Sequence, residues 1–249
     1  MRRLSQPDLG VWPAEQRHMT WSNEDRATVV RNRGVAAIDA GELTALAAPY
    51  ADIIVDLGTG DGRHVLRTAR ARPDALVVGV DPVAEAMASS ASRAARKPAR
   101  GGVANALFVV ASLERLPIAL QGVASEVTIN FPWGSLLRAV GWPRTQRMRT
   151  VVELTKPGGS VVALLNASAG EPGAYADRLE LPPLENRRHV QERLVPGWRD
   201  AGLVDVRWRY LSVGERAPSR TTWGQRLVRG SGRETLVVCG LRALPKTAS

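Results

Sequence analysis

The chain reads as an α/β fold. The expected core is a mostly parallel sheet of seven strands with helices on both faces, an antiparallel last strand and a β-hairpin ahead of it. Three observations point there. Short apolar runs of strand length alternate with helix-length segments. The first long run, Asp52–Leu57, stops on a cluster of glycines that opens a helix. The last two runs have no helix-length apolar segment between them, so they pair antiparallel.

Each element follows from local chemistry. Residues 1–26 carry Pro7, Pro13, Trp12 and Trp21 without periodicity and read as a loosely structured extension, with 27–249 as one domain. Two β-prone runs in 27–38 flank Asn32-Arg33-Gly34, a hairpin turn. Asp39 caps a short helix through Ala48, with Glu42 at the capping-box position. Strands follow at Asp52–Leu57, Ala75–Asp81, Ala106–Ala111, Ala124–Phe131 and Ser160–Asn166. The helices between them are Gly62–Ala71, stopped by Pro73, Val83–Lys97, stopped by Pro98, and Trp142–Leu154. Segment 167–186 is rich in Gly, Pro and charge and reads as a loop, and Asn186–Gly202 is a helix disturbed by Pro196. The closing strands are Leu203–Leu211 and Thr235–Leu241, joined by the long polar link Ser212–Glu234.

Composition excludes several classes. With 249 residues, 44% hydrophobic and 23% charged, the chain is of ordinary globular make-up. No uncharged apolar run is long enough for a membrane span, and the opening arginines lack the apolar run of a secretory signal. A single cysteine, Cys239, excludes a disulfide framework and reads as a small core residue. His18, His64 and His189 lie far apart without metal-ligand spacing, and His64 reads as structural. The expectation is a cytoplasmic protein, monomeric, with no membrane partner and no metal. The net charge of +10 points to a polyanionic partner. Only Lys97, Lys156 and Lys246 are lysines, so arginine, suited to phosphate and base stacking, supplies almost all the positive charge.

The first strand–helix junction is Val55-Asp56-Leu57-Gly58-Thr59-Gly60-Asp61-Gly62. Glycine at alternate positions lets a ligand approach the backbone, and the helix N-terminus favours its electronegative groups. A dinucleotide fingerprint needs glycine where Arg63 stands, which argues against a nicotinamide-linked oxidoreductase. Asp81 ends the second strand, where an acidic side chain can accept hydrogen bonds from both hydroxyls of a ribose. The Asp-x-Gly-x-Gly-x-Gly spacing resembles motif I of class I S-adenosylmethionine-dependent methyltransferases, which have a Rossmann-like fold. That resemblance implies S-adenosyl-L-methionine as cofactor, held by Asp56, Gly58, Thr59, Gly60, Gly62, Asp81, Ser112 and Glu114.

The fourth strand runs into Asn130-Phe131-Pro132-Trp133-Gly134-Ser135-Leu136-Leu137. Together with Lys97-Pro98-Ala99-Arg100-Gly101-Gly102, Glu114-Arg115-Leu116-Pro117 and the distal Thr221-Thr222-Trp223-Gly224-Gln225-Arg226-Leu227, this segment resembles one family. It is similar to the kanamycin–apramycin resistance (Kam) family of aminoglycoside-resistance methyltransferases, which modify N1 of the decoding-site adenine of 16S rRNA in the 30S subunit. The likeness spans about residues 27–242 and is poor over 167–197. It implies a base clamp of Trp133 and Trp223, with Phe131 and Pro132 orienting the base. A shielded adenine must leave its helix to react, and a flipped base needs flat partners. The resemblance further implies RNA contacts at Arg93, Arg96, Lys97, Arg100, Arg226 and Arg233, and places Thr221 against the cofactor or beneath the Trp223 loop. Two other readings stay open: a methyltransferase of the same fold acting on tRNA or a small molecule, and a non-catalytic RNA-binding protein.

Overall fold

The computed structural model of the chain describes residues 26–31, 34–143, 146–170, 184–211 and 234–245. Its centre is β3 (Asp52–Leu57), which pairs in parallel with β4 (Ala75–Asp81) on one side and β6 (Ala124–Asn130) on the other. Side chains alternate across a strand, so Ile54 and Val77 enter one core while Val55 and Val78 enter the other. β5 (Ala106–Val110) and β7 (Thr155–Asn166) extend the parallel set, and β9 (Thr235–Arg242) lies antiparallel between β7 and β8 (Leu203–Leu211).

The predicted hairpin is present as β1 (Ala27–Arg31) and β2 (Gly34–Ile38). It does not stand apart. β1 pairs antiparallel with β5 through Val29 and Val109, both fully buried, so among the described residues the sheet has nine strands in the order β2-β1-β5-β4-β3-β6-β7-β9-β8. The hairpin thereby covers a strand edge that β5 would otherwise present open.

Helices α2 (Arg63–Ala71) and α3 (Ala84–Ala94) cover one face through Val65, Leu66, Met87 and Ala91, with Phe108 of β5 beneath them. The other face carries α1 (Ala40–Ala47), α4 (Gly134–Gly141) and α5 (Gln146–Glu153). It also carries α6, which runs through Arg187–His189, a π-helical turn at Val190–Leu194 and Val195–Asp200. The α1 capping box forms as expected: Glu42 N donates to Asp39 Oδ1 at 2.8 Å and Asp39 N to Glu42 Oε2 at 3.0 Å. Trp198 is fully buried on this side, and its indole N–H donates to the Val140 carbonyl at 2.9 Å. Among the described residues no helix is long and apolar enough to cross a membrane.

Three expectations need correction. The helix predicted over Trp142–Leu154 is present but shorter, as Gln146–Glu153, and a helix not expected from the sequence precedes it at Gly134–Gly141, directly after Trp133. Trp142 precedes Pro143, and a residue before proline is pushed out of the helical region, here to φ −134, ψ 71. For the same reason α3 ends at Ala94 rather than Lys97, since Lys97 precedes Pro98 and is extended at φ −58, ψ 143. β7 starts at Thr155, not Ser160, because Ala124 pairs with Thr155 before the register jumps to Glu126 and Ser160. The helix over Asn186–Gly202 is present and disturbed at Pro196 as expected: Pro196 has no N–H to give Glu192, Val195 N reaches Val190 O, and the helix widens into a π turn. On the outer strand β8 the register shifts between Val204 and Arg207, and Asp205 adopts φ 51.

Candidate active site

The parallel strands end together at the carboxyl edge of the sheet, where α/β folds bind ligands. There the chain leaves β3 and curls over β4: Gly58 N and Thr59 N both donate to the Val80 carbonyl, at 2.8 and 3.0 Å. Gly58, Gly60 and Gly62 all have positive φ, at 74°, 57° and 69°, a region where a side chain is strained. The reasons for glycine differ along the loop. A Cβ on Gly62 would stand 2.5 Å from Phe108 Cε1, so packing excludes it. A Cβ on Gly60 would meet nothing within 4 Å, so the backbone there faces open space. Gly62 also forms the N-cap of α2 without a side-chain cap.

Asp81, at the end of β4, accepts from Gly60 N at 2.9 Å through Oδ2 and from Val83 N at 3.0 Å through Oδ1. It braces the glycine loop while standing half-buried beside it. Beyond β5, Ser112 stands at the start of the short 3₁₀ turn Leu113–Arg115, and Glu114 lies within it. The Glu114 carboxyl is held below its ordinary value, first by its own backbone N–H, then by the Ser112 and Ser135 hydroxyls and the charge of Arg147, against a burial cost. Arg147 Nη2 lies 3.6 Å from Glu114 Oε1.

Asp56 occupies a different place from that suggested by the motif. It is 1% exposed and lies beneath the loop. Its carboxylate accepts from Thr59 Oγ1 at 2.6 Å, Thr128 Oγ1 at 2.8 Å and Asn130 Nδ2 at 2.8 Å. Thr59 is buried with it.

At the end of β6 the chain turns sharply. Phe131 takes φ 51, a strained conformation for a bulky residue costing about 1–3 kcal/mol. Its ring is buried, and its N–H donates to the Leu164 carbonyl at 2.8 Å. Pro132 is buried as well, whereas Trp133, the N-cap of α4, is 52% exposed. A large aromatic ring thus faces solvent on the same edge as the glycine loop.

The structure therefore gathers Asp56, Gly58, Thr59, Gly60, Gly62, Asp81, Ser112, Glu114, Phe131, Pro132 and Trp133 on one edge. Thr221, Trp223, Arg226 and Arg233 lie outside the described residues, as do Trp12 and Trp21. The segment that holds the first four leaves β8 after Leu211 and enters β9 at Thr235. Leu211 pairs with Thr235, and Thr235 with Asn166 at the end of β7, so both ends of that segment open on the carboxyl edge.

The basic cluster sits elsewhere. Arg93 is in the last turn of α3, Arg96 and Lys97 follow it, and Arg100 is in the 3₁₀ turn Pro98–Arg100, all exposed. They do not share one helix, contrary to their spacing. α3 spans 11 residues, so they stand about 16 Å from its start at the carboxyl edge. No motif in the sequence assigns a role to Ser135, Arg147, Thr128 or Asn130. Ser135 and Asn130 adjoin the Phe131–Trp133 run, which was the only available signal.

Comparison with known proteins identifies the family and the fold. The family model described as NpmA, 16S rRNA (adenine(1408)-N(1))-methyltransferase, matches residues 28–242. A 16S rRNA (adenine(1408)-N(1))-methyltransferase of Streptoalloteichus tenebrarius is 37% identical over 186 residues, covering 75% of this chain and 85% of that protein. The crystal structure of the antibiotic-resistance methyltransferase Kmr superposes with a TM-score of 0.71 at 38% identity, covering 86% of this chain and 99% of that one. A tryptophan-to-alanine variant of the 16S rRNA (adenine(1408)-N(1))-methyltransferase from Catenulisporales acidiphilia, solved with cosubstrate SAM, gives 0.77 at 31% identity, covering 90% and 100%.

Proposed function

The chain belongs to the NpmA family of 16S rRNA (adenine(1408)-N(1))-methyltransferases, and we propose that it carries out the reaction this name describes. It transfers a methyl group from S-adenosyl-L-methionine to N1 of that adenine in the 30S subunit, and cells expressing it resist kanamycin and apramycin. The observation that carries the reading is the exposed Trp133 ring on the same sheet edge as three left-handed glycines and the Asp81 carboxylate.

The residues fit the methyl donor. The open face of Gly60 is a cradle that a Cβ would fill, and the N-terminus of α2 beside it favours a carboxylate. Asp81 stands where a ribose would be bound, and Ser112 and Glu114 border the place for the adenine of the donor. Gly58, Gly60, Gly62 and Thr59 shape the cradle, with Asp56 holding it from below; Thr221, outside the described residues, is assigned a cofactor contact by the family resemblance alone. S-adenosyl-L-methionine supplies an electrophilic methyl group on a sulfonium.

The chain's own task is positioning. Adenine N1 has an in-plane lone pair and the product is a cation, so no residue need remove a proton from N1. Trp133 and Trp223 clamp the flipped base, each stacking contact being worth about 1–3 kcal/mol. Phe131 and Pro132 fix the turn that presents Trp133 and orient the base. Orientation and proximity supply most of the acceleration. Arg93, Arg96, Lys97, Arg100, Arg226 and Arg233 contact RNA phosphates and set the docking register. The protein works as a cytoplasmic monomer, with 27–249 forming one domain and 1–26 an extension.

Incubating 30S subunits with labelled donor and mapping the modified nucleotide by primer extension tests the assignment. The expected result is a single stop at the decoding-site adenine. Trp133→Ala and Trp223→Ala should each lower turnover about 100-fold and leave donor affinity nearly unchanged. Methylation of tRNA or of a small molecule in place of 30S subunits would replace the assignment with the other methyltransferase reading.

A further inference from the structure

We propose that Thr128 and Asn130 are positioning residues, which set the turn carrying Trp133 against the methyl-donor loop through the one carboxylate they share with Thr59. The inference rests on the functional reading above. Three hydrogen-bond donors converge on Asp56, and they come from three stations of the site. Thr59 belongs to the glycine loop, and its hydroxyl reaches Oδ2 at 2.6 Å. Thr128 is the register partner of Asp56 across the parallel β3–β6 pair, and its hydroxyl reaches Oδ1 at 2.8 Å. Asn130, two residues on and on the same face of β6, donates Nδ2 to that same Oδ1 at 2.8 Å. It is the last residue before the left-handed Phe131.

The geometry has a mechanical meaning. Asp56 is 1% exposed, so water does not compete for its oxygens and the three bonds act in a medium that strengthens them. A left-handed aromatic residue persists only where its surroundings fix it on both sides. Phe131 N is fixed to Leu164 O at 2.8 Å, and the side chain just before it is fixed to Asp56. The Asn130 amide nitrogen is therefore turned inward to the carboxylate and serves the turn. Asp56 holds the loop that shapes the donor cradle and the turn that presents the clamp as a single piece. In-line transfer depends on that relation, since a misplacement of about 1 Å costs on the order of 100-fold in rate.

The test separates turnover from binding. Thr128→Val removes one donor with little change of shape, Thr128→Ser keeps it, and Asn130→Ala frees the turn. Full-length variants are assayed on 30S subunits at saturating donor, with donor affinity by titration calorimetry and melting temperature by circular dichroism. Thr128→Val should lower kcat about tenfold and Asn130→Ala about 100-fold. Donor Kd should stay within about threefold and 30S KM nearly constant, and Thr128→Ser should return kcat to near the parent value. Unchanged kcat in folded Thr128→Val or Asn130→Ala would overturn the proposal. So would donor affinity that falls in step with kcat, which would confine the network to the cradle. Parent protein that binds donor yet leaves 30S subunits unmethylated would instead overturn the functional reading, and this role with it.

Discussion

Asp52 and Asp56 stand at opposite ends of the same strand, β3, and on the same face of it, yet they are held by opposite means. Asp52, at the amino edge, meets cations: Arg72 Nη2 at 3.0 Å and Lys156 Nζ at 3.5 Å, all with side chains substantially open to solvent. Arg72 also reaches Asp74 at 3.2 Å, and its guanidinium is raised above its ordinary value chiefly by that hydrogen bond. Asp56, at the carboxyl edge, is enclosed and meets two hydroxyls and an amide. Exposed ion pairs are loose, screened and weakly stabilising. Short hydrogen bonds in a closed setting fix angles as well as distances, and leaving their donors unmet is costly. One end of the strand tolerates movement, and the end that builds the candidate site does not.

Substitutions can break this contrast. The largest effect is expected from Asp56→Ala, which strands three donors, the buried Thr59 hydroxyl and the half-buried Thr128 hydroxyl and Asn130 amide. Stability should fall by about 2–4 kcal/mol and methylation of 30S subunits should be lost, as urea denaturation and the labelled-donor assay would show. If Asp56→Ala were as mild as a change at the amino edge, the distinction would fail.

Midway along, Glu126 pairs with Ile54 in the β3–β6 register and supplies an intermediate case. Burial pushes its carboxyl above the ordinary range; the charges of Arg72 and His64 pull it back in part, and Asp52 adds to the rise. A raised carboxyl favours folding in its neutral form. Its contribution is whole below the ordinary carboxyl value and is lost as pH climbs through the folded-state value. Glu126→Gln should therefore melt higher than the parent near neutral pH, with the gap closing toward pH 4. A gap that widened on acidification would reverse the sign of the argument.

The smallest effect belongs to Asp52→Ala. Its partners remain solvated, so stability should change by less than about 1 kcal/mol and turnover should stay at the parent level. Loss of methylation from this change would mean that the amino edge is coupled to the site after all.

Much of this was legible in the chain itself. Glycines at alternate positions announced the loop, Asp81 its neighbour, and Asp39 with Glu42 the start of α1. Those signals are local, each set within a few residues. Other features depend on what arrives from far away. Two of the three partners of Asp56, Thr128 and Asn130, lie more than 70 residues along, and nothing in a Thr-x-Asn pattern says which carboxylate it will meet. The hairpin could be read from its turn, but its docking on β5 needed the matched burial of Val29 and Val109. α4 escaped notice because its eight residues open on glycine and serine, poor helix formers, and sit between Pro132 and Pro143. The π-helical turn follows from Pro196, whose effect on a helix the sequence gives without saying whether the helix stops or widens.

The irregular outer strand β8 has a consequence for how the molecule keeps company. Asp205 kinks it, the register slips there, and Arg207 and Arg209 project as exposed charges along its length. A neighbour seeking to add its own strand at this rim would find a bent, positively charged ladder. Such a border resists the pairing of one copy's edge strand with another's.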